Sequence, residues 1–410
     1  MPGGGQPSPT IRLHMCGTTN DGRLWHVSRP RDDSGPVASW GPWSSWEEVK
    51  AMGADDAGPF VNVACAVDWR DINSQMTEEF HVCALTVDGR LLHTSRISPD
   101  DWQPFEDLKT RIQGNWDTFQ VEKVALSRSF DDVFIIVLTT QGQHRILHVT
   151  HNPDGTQGLE DVTGANEAGF PGSFTNSACA KVSPEPLIVE LHLCGVTQDG
   201  KLWHTMLEWL EDSWQPFADV QTLAKSPPHG IADISIAQGD HDLHVFAQAA
   251  GDLWHTVRLA NPPNWQSHFD RVKEQAGDPG SFGSISAADV DGSLHLCGAT
   301  QDGKLWHTIR TSANPLQWQR FEDVTTAGGG NPGFFTCVNI AVNFFPPSFS
   351  GADTTCEQIK RNIANDRLQI RMLQQRNRND PGIAARNQDI ARLQDRGRRH
   401  HPPCSPQDIA

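Results

Sequence analysis

One short phrase is written six times along this chain: LWHVSR at 24–29, LLHTSR at 91–96, ILHVTH at 146–151, LWHTML at 202–207, LWHTVR at 253–258 and LWHTIR at 305–310. Its histidines, His26, His93, His148, His204, His255 and His307, stand 67, 55, 56, 51 and 52 residues apart. Self-similarity at such a period marks a propeller or a stacked array. The constraint reaches function as well, because a surface built from copies binds through copies.

Each copy resolves into four short runs. In the fourth, 174–182 is followed by 188–197, the turn Gln198-Asp199-Gly200, then 201–206 and finally 214–220. Asp-Gly between two alternating apolar runs signals a tight hairpin, because a primed turn needs the positive φ that glycine accepts without cost. It recurs at Asp21-Gly22, Asp88-Gly89 and Asp302-Gly303, with Gln141-Gly142 and Gly251-Asp252 as degenerate versions. Four strands in a unit of about fifty residues make a propeller blade, and no 3.6-residue apolar stripe occurs before residue 355.

The ends of the repeat region do not coincide with the ends of a unit. The chain enters at 11–18 with what reads as a second strand and leaves at 335–343 with a lone first strand. Paired, the two complete one blade and remove the exposed edges that invite aggregation. The expectation is an all-β, six-bladed propeller over 11–346, closed by its N- and C-terminal strands. An open six-unit array capped by the tail is the alternative. A flexible leader at 1–10 precedes the ring, and a linker with a C-terminal α-helical hairpin at 347–410 follows it.

In that tail, Thr354-Thr-Cys-Glu357 reads as a capping box. Ile359, Ile363, Ile370 and Leu373 form a narrow seam, Asn379-Asp-Pro-Gly382 makes the turn, and Ile383, Ile390 and Leu393 return it. So thin an apolar stripe over 354–398 suits a coiled-coil hairpin completed by a partner: the propeller, a second copy in a homo-oligomer, or another protein. At 1.5 Å per residue, about 24 residues climb roughly 36 Å and about 15 return roughly 22 Å. The extended stretch 398–404 spans the shortfall, so Cys404 can reach Cys356. A disulfide there would close a loop of about fifty residues and stabilise the hairpin by roughly 4 kcal/mol; two free thiols are the alternative.

With 37% hydrophobic content, 35 Gly and 27 Pro, composition suits a large core joined by many turns. No run approaches 18 apolar residues, so no membrane span is expected, and the first ten residues lack the charged and apolar regions of a secretory signal. Residues 353–410 hold 11 Lys+Arg against 7 Asp+Glu; with the whole chain at −17 and this tail at +4, the rest carries −21. An acidic ring repels phosphate backbones, which argues against nucleic acid as its partner.

An indole face stacks on the apolar face of a sugar while carboxylate and imidazole groups bond its hydroxyls. Trp25, Trp203, Trp254 and Trp306 beside Asp21, Asp199, Asp252 and Asp302 form one candidate set of this kind, with Leu92 and Leu147 in place of the Trp in two units. The same Trp is also the residue expected to pack blade against blade. Trp46, Trp102, Trp214, Trp265 and Trp318 lie on the outermost run, where partial exposure is expected, and form the second set.

The succession of an apolar strand, Asp-Gly-x-Leu-Trp-His and Trp-x-x-Trp/Phe-Glu, as in Asn20-Asp-Gly-Arg-Leu-Trp-His26 with Trp43-Ser-Ser-Trp-Glu47, resembles the bacterial propeller lectins of the Photorhabdus-lectin type. More loosely it is similar to tectonin and fucose-lectin propellers. The resemblance covers about residues 11–345 and implies a carbohydrate binder without catalysis, with several shallow sites around the ring.

The repeated histidine is most simply a hydrogen-bonded packing residue. The His-x-Cys pairs His14/Cys16, His81/Cys83, His192/Cys194 and His295/Cys297 place both side chains on one strand face, but a tetrahedral metal site takes four ligands and no second pair is evident. Asp289-Val-Asp291-Gly and Asp240-His-Asp242 lack the remaining ligands of a calcium loop. Strand cysteines Cys65 and Cys83, or Cys179 and Cys194, could pair within a blade or remain small buried thiols. A sialidase is excluded, since its nucleophile is tyrosine and the chain has none. The pairs Glu106/Asp107 and Glu322/Asp323 recur at equivalent stations, broken by Ala218, whereas a catalytic site is expected once. The reading is a multivalent binder of glycans or glycoconjugates, with no catalysis and no cofactor; the alternative is a protein-binding scaffold assembled by the hairpin.

Overall fold

The computed structural model describes residues 11–342 apart from 33–38, 50–56, 73–74, 98–101, 113–119, 130–131, 140–143, 152–156, 165–166, 186–187, 209–212, 225–227, 240, 261, 291, 312–316 and 331. Thr10–Pro184 and Glu190–Phe344 form one compact unit. The leader, the helical hairpin and both Cys356 and Cys404 lie outside the described residues.

Six antiparallel sheets follow one another along the chain. Blade 2 runs Phe60–Ile72, Gln75–Thr86, Leu91–Arg96 and Glu106–Asp107, and blade 3 runs Val121–Ser129, Asp132–Thr139, Ile146–His151 and Gln157–Asp161. Blade 4 has Phe174–Glu185, Ile188–Thr197 and Leu202–Glu208, with Ser213–Trp214 and Ala218–Asp219 as two short outer strands. Blade 5 repeats this with Ile231–Gly239, Asp242–Ala249, Asp252–Leu259, Asn264–Trp265 and Asp270–Arg271; blade 6 has Phe282–Val290, Ser293–Thr300, Leu305–Arg310 and Glu322–Asp323. Blade 1 is shared between the two ends of the ring. Phe335–Val342 supplies its first strand, antiparallel to Arg12–Thr19, and Leu24–Asp32 follows.

The hairpin between second and third strands is fixed locally. Thr19 N–H donates to Arg23 O (3.0 Å), Gly22 N–H to Thr19 O (2.8 Å), and the Thr19 hydroxyl to Asp21 Oδ1 (2.5 Å). Blades 4 and 6 repeat the hydroxyl bond at Thr197–Asp199 (2.6 Å) and Thr300–Asp302 (2.5 Å). Gly22, Gly200 and Gly303 sit at φ of 80°, 74° and 80°, a region a side chain disfavours.

The core is divided among the six junctions. One cluster joins Cys16, Leu24 and Val49 of blade 1 to Phe60, Val82 and Trp102 of blade 2; another joins Phe246 and Leu253 of blade 5 to Phe282, Leu296 and Trp318 of blade 6. A first-strand phenylalanine lies over a glycine of the second strand. A Cβ at Gly298 would meet Phe282 at 2.4 Å, at Gly195 it would meet Phe174 at 2.4 Å, and at Gly17 Phe335 at 2.7 Å.

First strands of neighbouring blades run side by side at the centre. They do not form a continuous ladder, so their inward N–H groups need other acceptors. Side chains provide them. Asn62 Oδ1 accepts from Val124 N–H (3.1 Å), Asp233 Oδ2 from Ile285 N–H (2.8 Å) and Ser284 Oγ from Val338 N–H (3.2 Å), while Asn339 Oδ1 accepts from Cys65 N–H (2.9 Å). These residues line a central cavity of about 200 Å³.

One expectation is corrected here. The outer run is not one strand: its second half ends in a short helical turn, at Leu108–Arg111, Val220–Leu223, Val272–Ala276 and Val324–Ala327. Asp107, Asp219 and Asp323 cap three of these turns by accepting backbone N–H bonds from Lys109, Thr222 and Thr326, as short polar side chains do at helix starts. Of the two readings open for the strand cysteines, the structure has small buried thiols: the seven described cysteines, Cys65, Cys83, Cys179 and Cys194 among them, are free and buried. No helix among the described residues is long and apolar enough to cross a membrane.

Candidate functional site

The third-strand histidine meets a second histidine from the second strand of its own blade. Nδ1 of His14 lies 3.1 Å from Nε2 of His26, and the same contact joins His81 to His93 (3.0 Å), His192 to His204 (2.9 Å), His244 to His255 (2.9 Å) and His295 to His307 (3.0 Å). The rings lie 4° to 30° from coplanar, which is the edge-to-edge arrangement of an N–H···N bond. Carboxylates only accept, so the bond of His26 Nδ1 to Glu47 (2.5 Å) fixes that nitrogen as the protonated one and leaves Nε2 to accept from His14. In blade 4 the polarity reverses, because His192 Nε2 donates to Glu190 (2.9 Å). Burial drives His26, His204, His255 and His307 well below the usual imidazole range, and His244 and His295 to about 3.

Across four junctions an outer tryptophan of the next blade sets its ring against this histidine. Trp102 meets His26 at 77°, Trp214 meets His148 at 84°, Trp265 meets His204 at 80° and Trp318 meets His255 at 82°. These four are only 5–8% exposed, so the expected partial exposure of the outer set is corrected: they are junction residues. Trp46 belongs to a different station. Trp43 is the residue that meets His307, at 88°, whereas Trp46 packs on Phe335, as Phe105, Phe217 and Phe321 pack on Phe60, Phe174 and Phe282.

Sequence reasoning also missed the arginine that ends the repeated phrase. Arg96 is buried over the face of Trp102 (5.1 Å) and donates to Glu47 (2.6 Å). Arg29 repeats this over Trp43 (5.0 Å), donating to Glu322 (3.0 Å), which also accepts from Trp43 Nε1 (3.3 Å). The carboxylate therefore stands between two blades and anchors both.

The inner set faces the other way. Trp25, Trp203, Trp254 and Trp306 are partly exposed, one residue beyond the start of the repeated phrase. Each stands opposite a charged residue on the outer strand: Glu48, Asp219, Arg271 and Asp323. In blade 4, Trp203 Nε1 donates to Thr197 Oγ1 (3.2 Å), whose hydroxyl in turn donates to Asp199. The threonine hydroxyls hold the exposed Asp199 and Asp302 carboxyls below the usual range. In blade 6 the Lys304 ammonium sits 5.8 Å from the Trp306 ring and 3.8 Å from Asp323. In blade 5 the Arg271 guanidinium sits 5.5 Å from the Trp254 ring and bonds Asp252 and Glu274. Beside it opens a cavity of about 330 Å³ lined by Gly251, Asp252, Arg271, Lys273, Glu274 and Asp278. Among the described residues no group of three or more His, Cys, Asp or Glu is arranged to hold a metal ion. Asp242 is engaged by Ala260 N–H (2.8 Å).

No protein-family model matches the sequence, and no curated protein does. Solved structures are similar in fold. AofleA from Arthrobotrys oligospora matches with a TM-score of 0.51 at 13% identity, over 83% of this chain and 95% of that one. The fucose-specific lectin of Aleuria aurantia aligns at 12% identity and TM-score 0.48, over 77% and 97%, and a lectin from Burkholderia pseudomallei at 14% and 0.47, over 75% and 82%. The match to AofleA shows a shared fold.

Proposed function

We propose that the chain is a multivalent carbohydrate-binding protein without catalytic activity, holding sugars at the Asp-Gly rim of its blades. The observation that carries this reading is the partly exposed indole at one station of four blades, Trp25, Trp203, Trp254 and Trp306, each with charged groups in reach. The indole stacks on a pyranose C–H face, and the Asp199, Asp302 and Asp323 carboxylates accept its hydroxyls. The 330 Å³ cavity lined by Arg271, whose guanidinium sits 5.5 Å from the Trp254 ring, falls in the range of small-ligand sites. The outer tryptophans support the sites from within the junctions. The lectin reading of the sequence, drawn from the Photorhabdus type, extends here to an unspecified sugar.

A glycan array that includes fucosides, the ligand named for the Aleuria aurantia protein, followed by calorimetry on the hits, tests this. Selective hits weakened by Trp254→Ala and Trp306→Ala are expected. An array without a selective hit, or hits indifferent to all four rim tryptophans, would reject it.

A further inference from the structure

The four indole stations of the rim are not copies of one another. In blade 4 the Thr197 hydroxyl stands between the indole and the carboxylate that face the ligand. A carboxylate only accepts, so the bond to Asp199 Oδ1 (2.6 Å) uses the one hydroxyl proton and leaves the lone pairs to Trp203, whose Nε1 donates to them (3.2 Å). Accepting that N–H strengthens the hydroxyl's own donation. The threonine is itself held, its N–H donating to Lys201 O (3.0 Å) and its carbonyl accepting from Gly200 N–H (2.7 Å). One buried oxygen therefore fixes both the tilt of an indole and the rotamer of a carboxylate that is 59% exposed.

Each of the other stations lacks a part of this arrangement. Blades 1 and 6 have the threonine and its aspartate, Thr19–Asp21 and Thr300–Asp302 both at 2.5 Å, but the indole nitrogens of Trp25 and Trp306 are buried without a protein partner. Blade 5 has Ala249 at the threonine's register station, so no hydroxyl from that station reaches Trp254. In blades 5 and 6 a cation also lies over the indole, Arg271 at 5.5 Å from the Trp254 ring and Lys304 at 5.8 Å from the Trp306 ring. A sugar stacking on that face competes with the cation. Among the described residues no lysine or arginine covers Trp203. Blade 2 separates the turn from the site, because Thr86 bonds Asp88 in the same way although residue 92 is leucine.

We propose that Thr197 is a positioning residue that makes blade 4 the pre-organised and tightest of the four rim sites. This rests on the reading of the rim indoles as sugar platforms. Orienting indole and carboxylate before the ligand arrives removes an ordering cost that the other blades meet on binding. With Oδ1 held by the threonine, Asp199 presents Oδ2 to a ligand hydroxyl, and the Lys201 ammonium stands off at 3.7 Å. The Thr197 hydroxyl also holds the Asp199 carboxyl below its usual range, so blade 4 keeps a charged acceptor as pH falls toward about 4. Without that hydroxyl Asp199 titrates nearer the ordinary aspartate value of about 3.9, and binding at blade 4 is lost at a higher pH.

Indole nitrogen–proton spectra of the isotope-labelled full chain follow each site separately, with Trp25, Trp203, Trp254 and Trp306 assigned by replacing each in turn with phenylalanine. The probes are methyl glycosides of neutral hexoses and of fucose. The Trp203 signal should reach half-saturation first. Thr197→Val should raise that point about tenfold, leave the other three sites as they were, and move the acid limb of binding at Trp203 to higher pH; Thr197→Ser should restore both. Thr86→Val, which loses the same turn bond in blade 2, should alter none of the four. The order of saturation is read on the unaltered protein, so it decides even where Thr197→Val does not fold. Trp203 saturating with or after the other three, or a folded Thr197→Val protein with half-saturation and acid limb unchanged, would overturn the proposal and leave the rim reading standing. Glycosides that move none of the four signals would reject the rim reading and the proposal with it.

Discussion

Trp318 and Trp306 belong to the same blade but do opposite work, and truncating each to alanine separates the junction from the rim. Trp318 is 8% exposed and touches Phe246 and His255 of blade 5 at ring separations of 5.9 and 6.1 Å. A buried indole withdraws roughly 150–250 Å² from water, which at about 25 cal/mol per Å² is about 4–6 kcal/mol before relaxation. Measured Trp→Ala changes in cores fall at about 3–5 kcal/mol. Unfolding about 330 residues carries an entropy near 0.7 kcal/mol/K, so a loss of about 4 kcal/mol lowers Tm by roughly 6 °C. Trp306 keeps part of its face in water, and its truncation should cost about 1–2 kcal/mol, or roughly 2 °C. Binding should respond inversely: Trp306→Ala loses sugar affinity at blade 6 and Trp318→Ala retains it below its melting range. Melting curves by circular dichroism with calorimetric titration measure both. If Trp306→Ala proved as destabilising as Trp318→Ala, or if Trp318→Ala alone abolished binding in a folded protein, the assignment of rim and junction would be wrong.

Gly298→Ala should destabilise by about 1–3 kcal/mol, since the new Cβ meets Phe282 at 2.4 Å and overpacks the junction; a neutral result in chemical denaturation would mean the ring can move aside. Glu47→Gln should cost about 1–3 kcal/mol by leaving the buried Arg96 poorly paired, and adding Arg96→Met should restore most of it. Additive losses in that double-mutant cycle would deny the pairing. Iodoacetamide at pH 8 should leave Cys83, Cys179, Cys194 and Cys297 unmodified in the native protein, because burial pushes their thiols up; peptide mapping with and without denaturant shows whether it does.

The ring was legible because its signals are local and repeated. Asp-Gly turns give the hairpins, the spacing of the histidines gives the blade length, and the unmatched runs at 11–18 and 335–343 give the shared blade. The burial of the tryptophans was not legible, because alternation along a strand says only that Trp203 and His204 point to opposite faces. It does not say that the direct partner of Trp203 is Gly195, over which Phe174 lies, nor that the outer tryptophan is covered by the preceding blade. Trp46 was misplaced by its own neighbour: Trp43-Ser-Ser-Trp46 offers two indoles where Trp102-Gln-Pro-Phe105 offers one, and aligning the first members identifies Trp43 as the junction residue. Arg29 and Arg96 end a strand, where a charge ordinarily reads as solvated; only the next blade shows that an indole covers the stem and a carboxylate takes the head.

The shared blade also sets an order of events during synthesis. Thr18 and Thr336, in contact across the seam, are 318 residues apart in sequence, so this pairing has among the longest separations the fold contains. Five blades have all their strands in hand as soon as each has left the ribosome. The first-made blade must wait for the last-made strand. Translation at roughly 5–20 residues per second leaves Arg12–Thr19 without its inner partner for about 15 seconds to a minute. During that interval an apolar strand edge is bare, and a second nascent chain offers the same complement as the chain's own end. Exchange of Phe335–Val342 between two copies would give a linked dimer of otherwise ordinary rings, and crowded translation on one message is where such an error would arise.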